Sequence, residues 1–352
     1  MIDLKQYLTR CLNMALDAGN NENSYNNSFE IEIQSNGFVF VARLPAGFIL
    51  NEELYQRIYQ IAAAALYPSY TLLKQSSIYF VPLPNRPLSV KRGLFFPWVK
   101  GTSTRLNIGN LDDYFSARKE IDGQLIPLMK DYDVDYRKVT SIAIAGSTGS
   151  GKSMLLTYLL SALKPISQLI IVDPKFDKPA RWASNHGLTA ITPGSDTSKS
   201  DFVSAVNDEL SKALTTIYQR QRVLYQEPKT QFSSISIVID ELAALTIGIN
   251  RNIKDAFLSL LSQISLLGRA TSVHLILVSQ RFDHTVMPTA IRDQMNVLIE
   301  LGHITSKNVQ FLFPDLDPSG IVIPQGPGTG LIQIIDDQHF DNVLPFLAPT
   351  YN

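Results

Sequence analysis

Residues 146–153 read Gly-Ser-Thr-Gly-Ser-Gly-Lys-Ser, and no other stretch of the 352-residue chain restricts its fold as strongly. The spacing G-x-x-x-x-G-K-[ST] belongs to a loop that wraps phosphate oxygens in backbone N–H groups, and it needs a strand before it and a helix after it. Both are present: Ser141–Ala145 is a short apolar run, and Met154–Leu163 reads as a helix that stops near Pro165. Gly146, Gly149 and Gly151 permit positive φ and keep side chains out of the way of a ligand. Ser147, Thr148, Ser150 and Met154 complete the candidate cradle, and the helix N-terminus adds partial positive charge under the phosphates. Lys152 is spaced to reach the β- and γ-phosphates and the Ser153 hydroxyl to ligate Mg²⁺, so ATP and Mg²⁺ are the expected cofactors.

The surrounding pattern predicts the rest of the class. From about Lys138, apolar runs at 141–145, 169–172, 235–239, 273–278, 297–301 and 331–335 alternate with helical stretches. Strands apolar on both faces belong to a mostly parallel sheet covered by helices on both faces, so 138–352 is expected to be an α/β domain. Ahead of it, 1–28 reads as an amphipathic helix (Leu4, Leu8, Leu12, Ala15) and an Asn-rich linker. Residues 29–137 read as a small α+β domain. It has a hairpin around Asn36-Gly37, a helix over Asn51–Leu66 that stops before Pro68, and a strand at Ser77–Pro82. Within it, 85–110 carries Arg86, Lys91, Arg92, Lys100 and Arg105 with Phe95, Phe96 and Trp98, and no acid. Such a mixture contacts nucleic acid or forms a solvated hairpin whose aromatics pack on the next domain; the second reading weighs more.

Asp240 and Glu241 follow the apolar strand Ile235–Ile239. At that strand end Asp240 would hold Mg²⁺ through a water and Glu241 would polarise an attacking water; the alternative is an acidic pair capping the next helix. Gln280 ends the following strand, where it reports on the γ-phosphate or is simply a satisfied amide. Arg269, eleven residues upstream, reaches a neighbour's nucleotide or caps its own helix. Net charge is −1, so any nucleic-acid contact must be local. The single cysteine, Cys11, excludes intrachain disulfides and a thiolate cluster and fits a cytosolic setting. No apolar run approaches the ~18–20 residues that span a membrane.

Together these motifs resemble the FtsK/SpoIIIE family of DNA-pumping ATPases, in matching order over about 138–335. Ile144–Ser153 resembles the family's phosphate loop, Ile171-Val-Asp-Pro-Lys175 its Asp-Pro-Lys strand, and Ile237–Leu242 its Walker B strand. Gly268-Arg-Ala270, His274-Leu275 and Ser279-Gln-Arg281 resemble its "GRA…HLILATQR" stretch, Gly326–Leu331 its late glycine-rich turn, and Asp122–Pro127 the hairpin ahead of its loop. The resemblance implies a RecA-like P-loop NTPase motor core, a ring hexamer, and double-stranded DNA as partner, with single-stranded DNA open for the related conjugative coupling proteins. It implies that Lys152, Ser153, Asp240 and Glu241 keep the roles above, that Gln280 is the sensor, and that Arg269 is an arginine finger acting in trans. Phe282 stands where the family often has Pro. The chain has no membrane span and ends soon after the core, which favours a compact motor of a plasmid or mobile element working with a relaxase or membrane-anchored secretion partner. DNA contacts are expected in two loops, 248–254 with Arg251 and Lys254, and 281–285 with Arg281; ordinary solvated loops are the alternative. A related ring ATPase that moves protein, and a nucleotide-binding assembly protein with little turnover, are the competing functions.

Overall fold

The structure is a computed structural model that describes residues 3–17, 28–45, 49–75, 77–122, 124–336 and 342–352. Apart from Ser28, the Asn-rich linker at 19–28 lies outside the described residues. The chain forms two compact units. One comprises Met1–Ser103, Asp315–Pro324 and Asp341–Pro345; the other comprises Thr104–Pro314, Gln325–Phe340 and Phe346–Asn352. The strand pair around 125–135 thus groups with the larger unit, and two late segments group with the smaller one.

In the smaller unit, α1 (Leu4–Asp17) buries Leu8, Leu12 and Leu16, one side chain per turn on one face. Strands β1 (Phe29–Gln34) and β2 (Gly37–Ala42) form the antiparallel hairpin expected at Asn36-Gly37. Helix α2 (Glu52–Leu66) starts where the Asn51 side chain accepts from Leu54 N, with Glu52 and Glu53 at its positive end. Strands β3 (Tyr70–Leu72), β4 (Lys74–Gln75), β5 (Phe80–Pro82) and β6 (Arg92–Lys100) follow, and the main sheet runs β1-β2-β6-β3 with β5 also on β6. The basic, aromatic run is therefore built around a central strand. Phe96 stacks on Phe38 (4.8 Å between centroids) and on Tyr55 (4.4 Å), and Trp98 is buried beside them. Arg86 bonds Glu30 and Glu32 of β1. The aromatics thus fill the core of their own unit, and this arginine is neutralised. Lys74 is buried with its ammonium 4.2 Å from the Tyr59 ring centroid, bonded to Gln56 Oε1 and Ser319 O; burial lowers its pKa to about 8.

In the larger unit, β7 (Asn107–Ile108), α3 (Leu111–Asp122) and the hairpin β8 (Leu125–Met129)–β9 (Tyr132–Asp135) lead into β10 (Ser141–Gly146). Then come α4 (Lys152–Leu163), β11 (Ser167–Val172), α5 (Lys178–Asn185), β12 (Ala190–Ile191), α6 (Lys199–Gln226), β13 (Ser234–Asp240) and α7 (Arg251–Leu267). After these come β14 (Val273–Val278), α8 (Thr289–Arg292), β15 (Val297–Leu301), α9 (Ser306–Val309) and β16 (Thr329–Ile334). The strand order is β12-β11-β13-β14-β10-β15-β16, parallel throughout except for β16. Every residue of β10, β13, β14 and β15 is buried, which is why these strands read as unbroken apolar runs. From β10 the chain crosses to β11 in one direction and returns from β11 to β13 in the other. Right-handed crossovers then put α4 and α6 on opposite faces. The observed class is the expected one: a RecA-like α/β core whose phosphate loop leaves the C-terminal edge of a central strand.

Phe96→Ala removes the ring shared by two stacks in the smaller unit. It is expected to cost about 3–5 kcal/mol, read as a lowered urea midpoint; a loss below 1 kcal/mol would contradict this packing.

Candidate active site

Gly146, Gly149 and Gly151 have φ of +151°, +81° and +105°. At Gly151 freedom from a side chain is required twice, since a Cβ would also lie 2.8 Å from Gly328 N. That N–H donates to Ser150 O (2.8 Å), so the late glycine-rich turn rests on the phosphate loop. Helix α4 begins immediately after Gly151 without a side-chain cap, leaving its first-turn N–H groups to the loop mouth. Ser153 and Met154 lie in that turn, with Ser147 and Thr148 in the loop above it. Lys152 Nζ spans the loop, donating to Gly146 O (2.5 Å) and Ser147 O (3.0 Å). Burial lowers its pKa, opposed by the carboxylates of Glu241, Asp240 and Glu300.

Two strands away, β13 delivers the acids. Asp240 is buried and its carboxyl makes no hydrogen bond among the described residues; burial raises its pKa to about 6. Glu241 sits at φ +73°, ψ +73°, a left-handed conformation uncommon outside glycine, asparagine and aspartate. Its Oε2 accepts from Lys175 Nζ (2.8 Å) and Gln280 Nε2 (3.4 Å); its Oε1 accepts from Ser279 Oγ (3.1 Å) and Gln280 N (3.2 Å). Burial pushes its pKa up, but Lys175 and the Ser279 and Gln280 donors outweigh burial and hold it below the usual range. Neither acid caps the 3₁₀ turn that follows, which has no side-chain cap bond.

Lys175, quoted in the Asp-Pro-Lys motif without a role, is the cation paired with Glu241. Asp173, wholly buried at the end of β11, accepts from Lys175 N (3.0 Å), Asp177 N (2.8 Å) and Ala180 N (3.1 Å). That turn sets Lys175 beside the acid of the neighbouring strand. Glu300, a lone acid inside the apolar run of β15, also lines the cleft described below.

The remaining candidates fall in two places. Arg269 opens a short 3₁₀ turn before β14, whereas Ser279 and Gln280 leave the other end of that strand. A six-residue strand at ~3.3 Å per residue is ~20 Å long, so Arg269 lies at the edge opposite its own phosphate loop. Its side chain is exposed and bonds no helix-end carbonyl among the described residues. Arg251 and Lys254 are not in a loop. Asn250 accepts from Asn252 N (3.0 Å) and starts α7, so both cations stand in its first turn. Arg251 faces Asp255 at 3.6 Å, and Lys254 Nζ donates to Thr285 O (3.3 Å), joining the two expected DNA segments. Arg281 lies over the Phe311 ring, 5.2 Å from its centroid. A cleft of about 590 Å³ runs from Ser147, Glu241 and Gln280 to Arg281, Glu300 and Phe311. A charged, walled cleft beside a phosphate loop and a braced carboxylate is equipped for phosphoryl chemistry.

Residues 136–284 match the AAA domain family. The FtsK domain-containing protein YdcQ of Bacillus subtilis is 24% identical over 203 residues, covering 55% of this chain and 40% of that protein. The DNA translocase FtsK of Lactococcus lactis subsp. cremoris is 25% identical over 238 residues, 61% of this chain and 31% of that protein. The chain therefore spans well under half the length of these curated relatives. Among solved structures, the pCW3 conjugation coupling protein TcpA, a monomer with ATPγS, superposes with a TM-score of 0.58 at 18% identity, covering 97% of this chain and 94% of that one. At that identity the likeness is one of fold. The larger unit has a RecA-like P-loop fold, and residues 136–284 within it are similar to the AAA domain family. The resemblance to FtsK-family translocases, read first from the motifs, is borne out by these relatives.

Lys175→Met removes the cation that holds Glu241 ionised. The Glu241 pKa should rise from its depressed value, followed by carboxyl ¹³C NMR from pH 3 to 8. The wild-type acid contributes stability above its unfolded pKa and loses it as pH falls through the depressed native value. An unmoved Glu241 titration in the variant would remove Lys175 from this role.

Proposed function

We propose that the chain is an ATP-hydrolysing motor that moves DNA in a ring of its own copies, a hexamer, as the coupling ATPase of a plasmid or mobile element. The observation that carries the reading is the bracing of Glu241 by Lys175, Ser279 and Gln280. A carboxylate kept ionised on the phosphate-loop edge suits it to accept a hydrogen bond from an attacking water, which nucleotide storage alone does not need. Gln280, bonded to that carboxylate, is positioned to relay the state of the terminal phosphate. Ser153 Oγ and Asp240 fit Mg²⁺: both offer hard oxygen ligands, and the buried Asp240 carboxyl has no hydrogen-bond partner among the described residues. Bound there with ATP, Mg²⁺ would offset charge on the β- and γ-phosphates.

Arg269 supports assembly, because an exposed arginine at the far edge of the sheet meets a nucleotide only if that nucleotide belongs to a neighbour. DNA as cargo rests on the FtsK-family relatives and on Arg251, Lys254 and Arg281 gathered along one pair of segments. Double-stranded DNA is the favoured substrate and single-stranded DNA the alternative, with a relaxase or membrane-anchored secretion component as partner.

Steady-state ATPase with and without each DNA form tests the reading, with Lys152→Ala as control. Stimulation by DNA, absent in the control, is expected. Turnover indifferent to both forms would overturn DNA as cargo and favour a protein-moving ring. Glu241→Gln should cut turnover ~10²–10⁴-fold with ATP binding kept. Arg269→Ala should cut it ~10³–10⁵-fold. Equimolar mixtures of these two variants should regain activity, since some interfaces then combine an intact Glu241 with an intact Arg269. No recovery would make Arg269 a residue of its own subunit.

The triple variant Arg251→Ala, Lys254→Ala, Arg281→Ala should weaken DNA binding without sequence preference. Its log–log salt slope should fall by ~0.9 per lost duplex phosphate contact. An unchanged slope would place the DNA path elsewhere.

A further inference from the structure

Glu300 is the only acid in β15, and the chemistry described so far leaves it without a task. It pairs laterally with Ala145 of β10, and the preceding Ile144 pairs with Val278 of β14. Ser279, Ala145 and Glu300 are therefore level across three neighbouring strands, and level residues of parallel strands face the same way. Ala145 between them contributes only a methyl group. The acid is 5% exposed and faces the cleft that also holds Ser147, Glu241 and Gln280. Its carboxyl makes no hydrogen bond or ion pair among the described residues.

The charged groups around it are accounted for. Lys152, from the start of α4, is bonded to Gly146 O and Ser147 O, and Arg281, from the segment after β14, lies on the Phe311 ring. Both favour ionisation of Glu300 at a distance without bonding it. Lys199 from α6, Asp283 and Glu241 line other parts of the cleft, and β16 sets uncharged Leu331 opposite it. Burial outweighs the two cations and pushes the Glu300 pKa up to about 8. A carboxyl in that condition is mainly protonated at neutral pH, so it has an O–H to give.

We infer that Glu300 donates a hydrogen bond to the terminal phosphate of a bound nucleoside triphosphate and so distinguishes triphosphate from diphosphate. This rests on the nucleotide reading above. The phosphate loop would bind both nucleotides through groups they share, whereas Glu300 lines the same cleft as Gln280 and Glu241, into which a third phosphate would extend. An ionised carboxylate in the same place would repel that phosphate. Triphosphate binding is then favoured while Glu300 holds its proton and is lost as pH rises through its pKa. No proton changes hands in this step.

The test is the affinity of the whole chain for ATPγS and for ADP, with Mg²⁺, by titration calorimetry between pH 7 and 9. ATPγS should bind about tenfold more weakly at pH 9 than at pH 7 if a pKa of about 8 governs it, while ADP changes far less. Glu300→Gln keeps the shape and a donor but cannot ionise, so its ATPγS curve should be flat apart from any change shared with ADP. Lys152 is present in both proteins, so its titration cancels in the comparison. ADP binding at wild-type strength shows that the variant is folded. The same alkaline loss of ATPγS in Glu300→Gln would overturn the assignment to this residue. A parallel loss of ADP and ATPγS in the wild type would overturn the assignment to the terminal phosphate. No binding of either nucleotide by the wild type at any pH would overturn the nucleotide reading itself.

Discussion

Strands β13, β14, β10 and β15 lie side by side, run in one direction and are buried along their full length. The chemistry of the chain depends on where they end. Lateral hydrogen bonding fixes the register of each strand against the next. The side chains or loops just past their ends, Glu241, Gln280, the phosphate loop and Gly302, are therefore brought to one edge without any local sequence specifying their separation. The apolar side chains that register the strands thereby position the polar ones. A slip of one residue in β14 would turn Ser279 to the other face and cost Glu241 a donor.

That edge concentrates charge that water would otherwise disperse. Asp240 and Glu241 are adjacent in sequence and pushed in opposite directions, the first up to about 6 by burial and the second down by Lys175 and two further donors. The difference comes from their partners, since both are largely buried. A site with one readily protonated acid and one held ionised presents two kinds of oxygen within a single dipeptide. The left-handed backbone at Glu241 helps to part them, turning its side chain toward Ser279 and Lys175.

The parts legible in the sequence were those whose physics is local. The phosphate loop declares itself because its glycines, lysine and flanking strand and helix are consecutive. The parallel sheet declares itself because strands buried on both faces leave apolar runs. Lys175 was not legible as a partner of Glu241, because 66 residues separate them and only the adjacency of β11 and β13 unites them. Glu300 looked like an interruption of a strand until its lateral pairing with Ala145 was known. The basic run at 85–110 was ambiguous because an aromatic residue reads alike whether it awaits a base or fills a core. Only the central position of β6 decides for the core. Arg251 and Lys254 looked like loop residues because Gly248 and two asparagines, Asn250 and Asn252, surround them and read as a turn; Asn250 in fact caps the start of α7.

The smaller unit draws on three separate stretches of chain. Ile321, from the second stretch, packs against its aromatic core, and Asn342 and Val343, from the third, pair with Gln75 and Lys74. A truncation after Ser103 would thus release the larger unit still carrying two pieces cut to fit a surface that has been removed. Ile321 and Val343 would then face water or one another's copies, an invitation to aggregate. Loss of solubility after such a single cut would therefore say nothing about whether the larger unit can fold by itself.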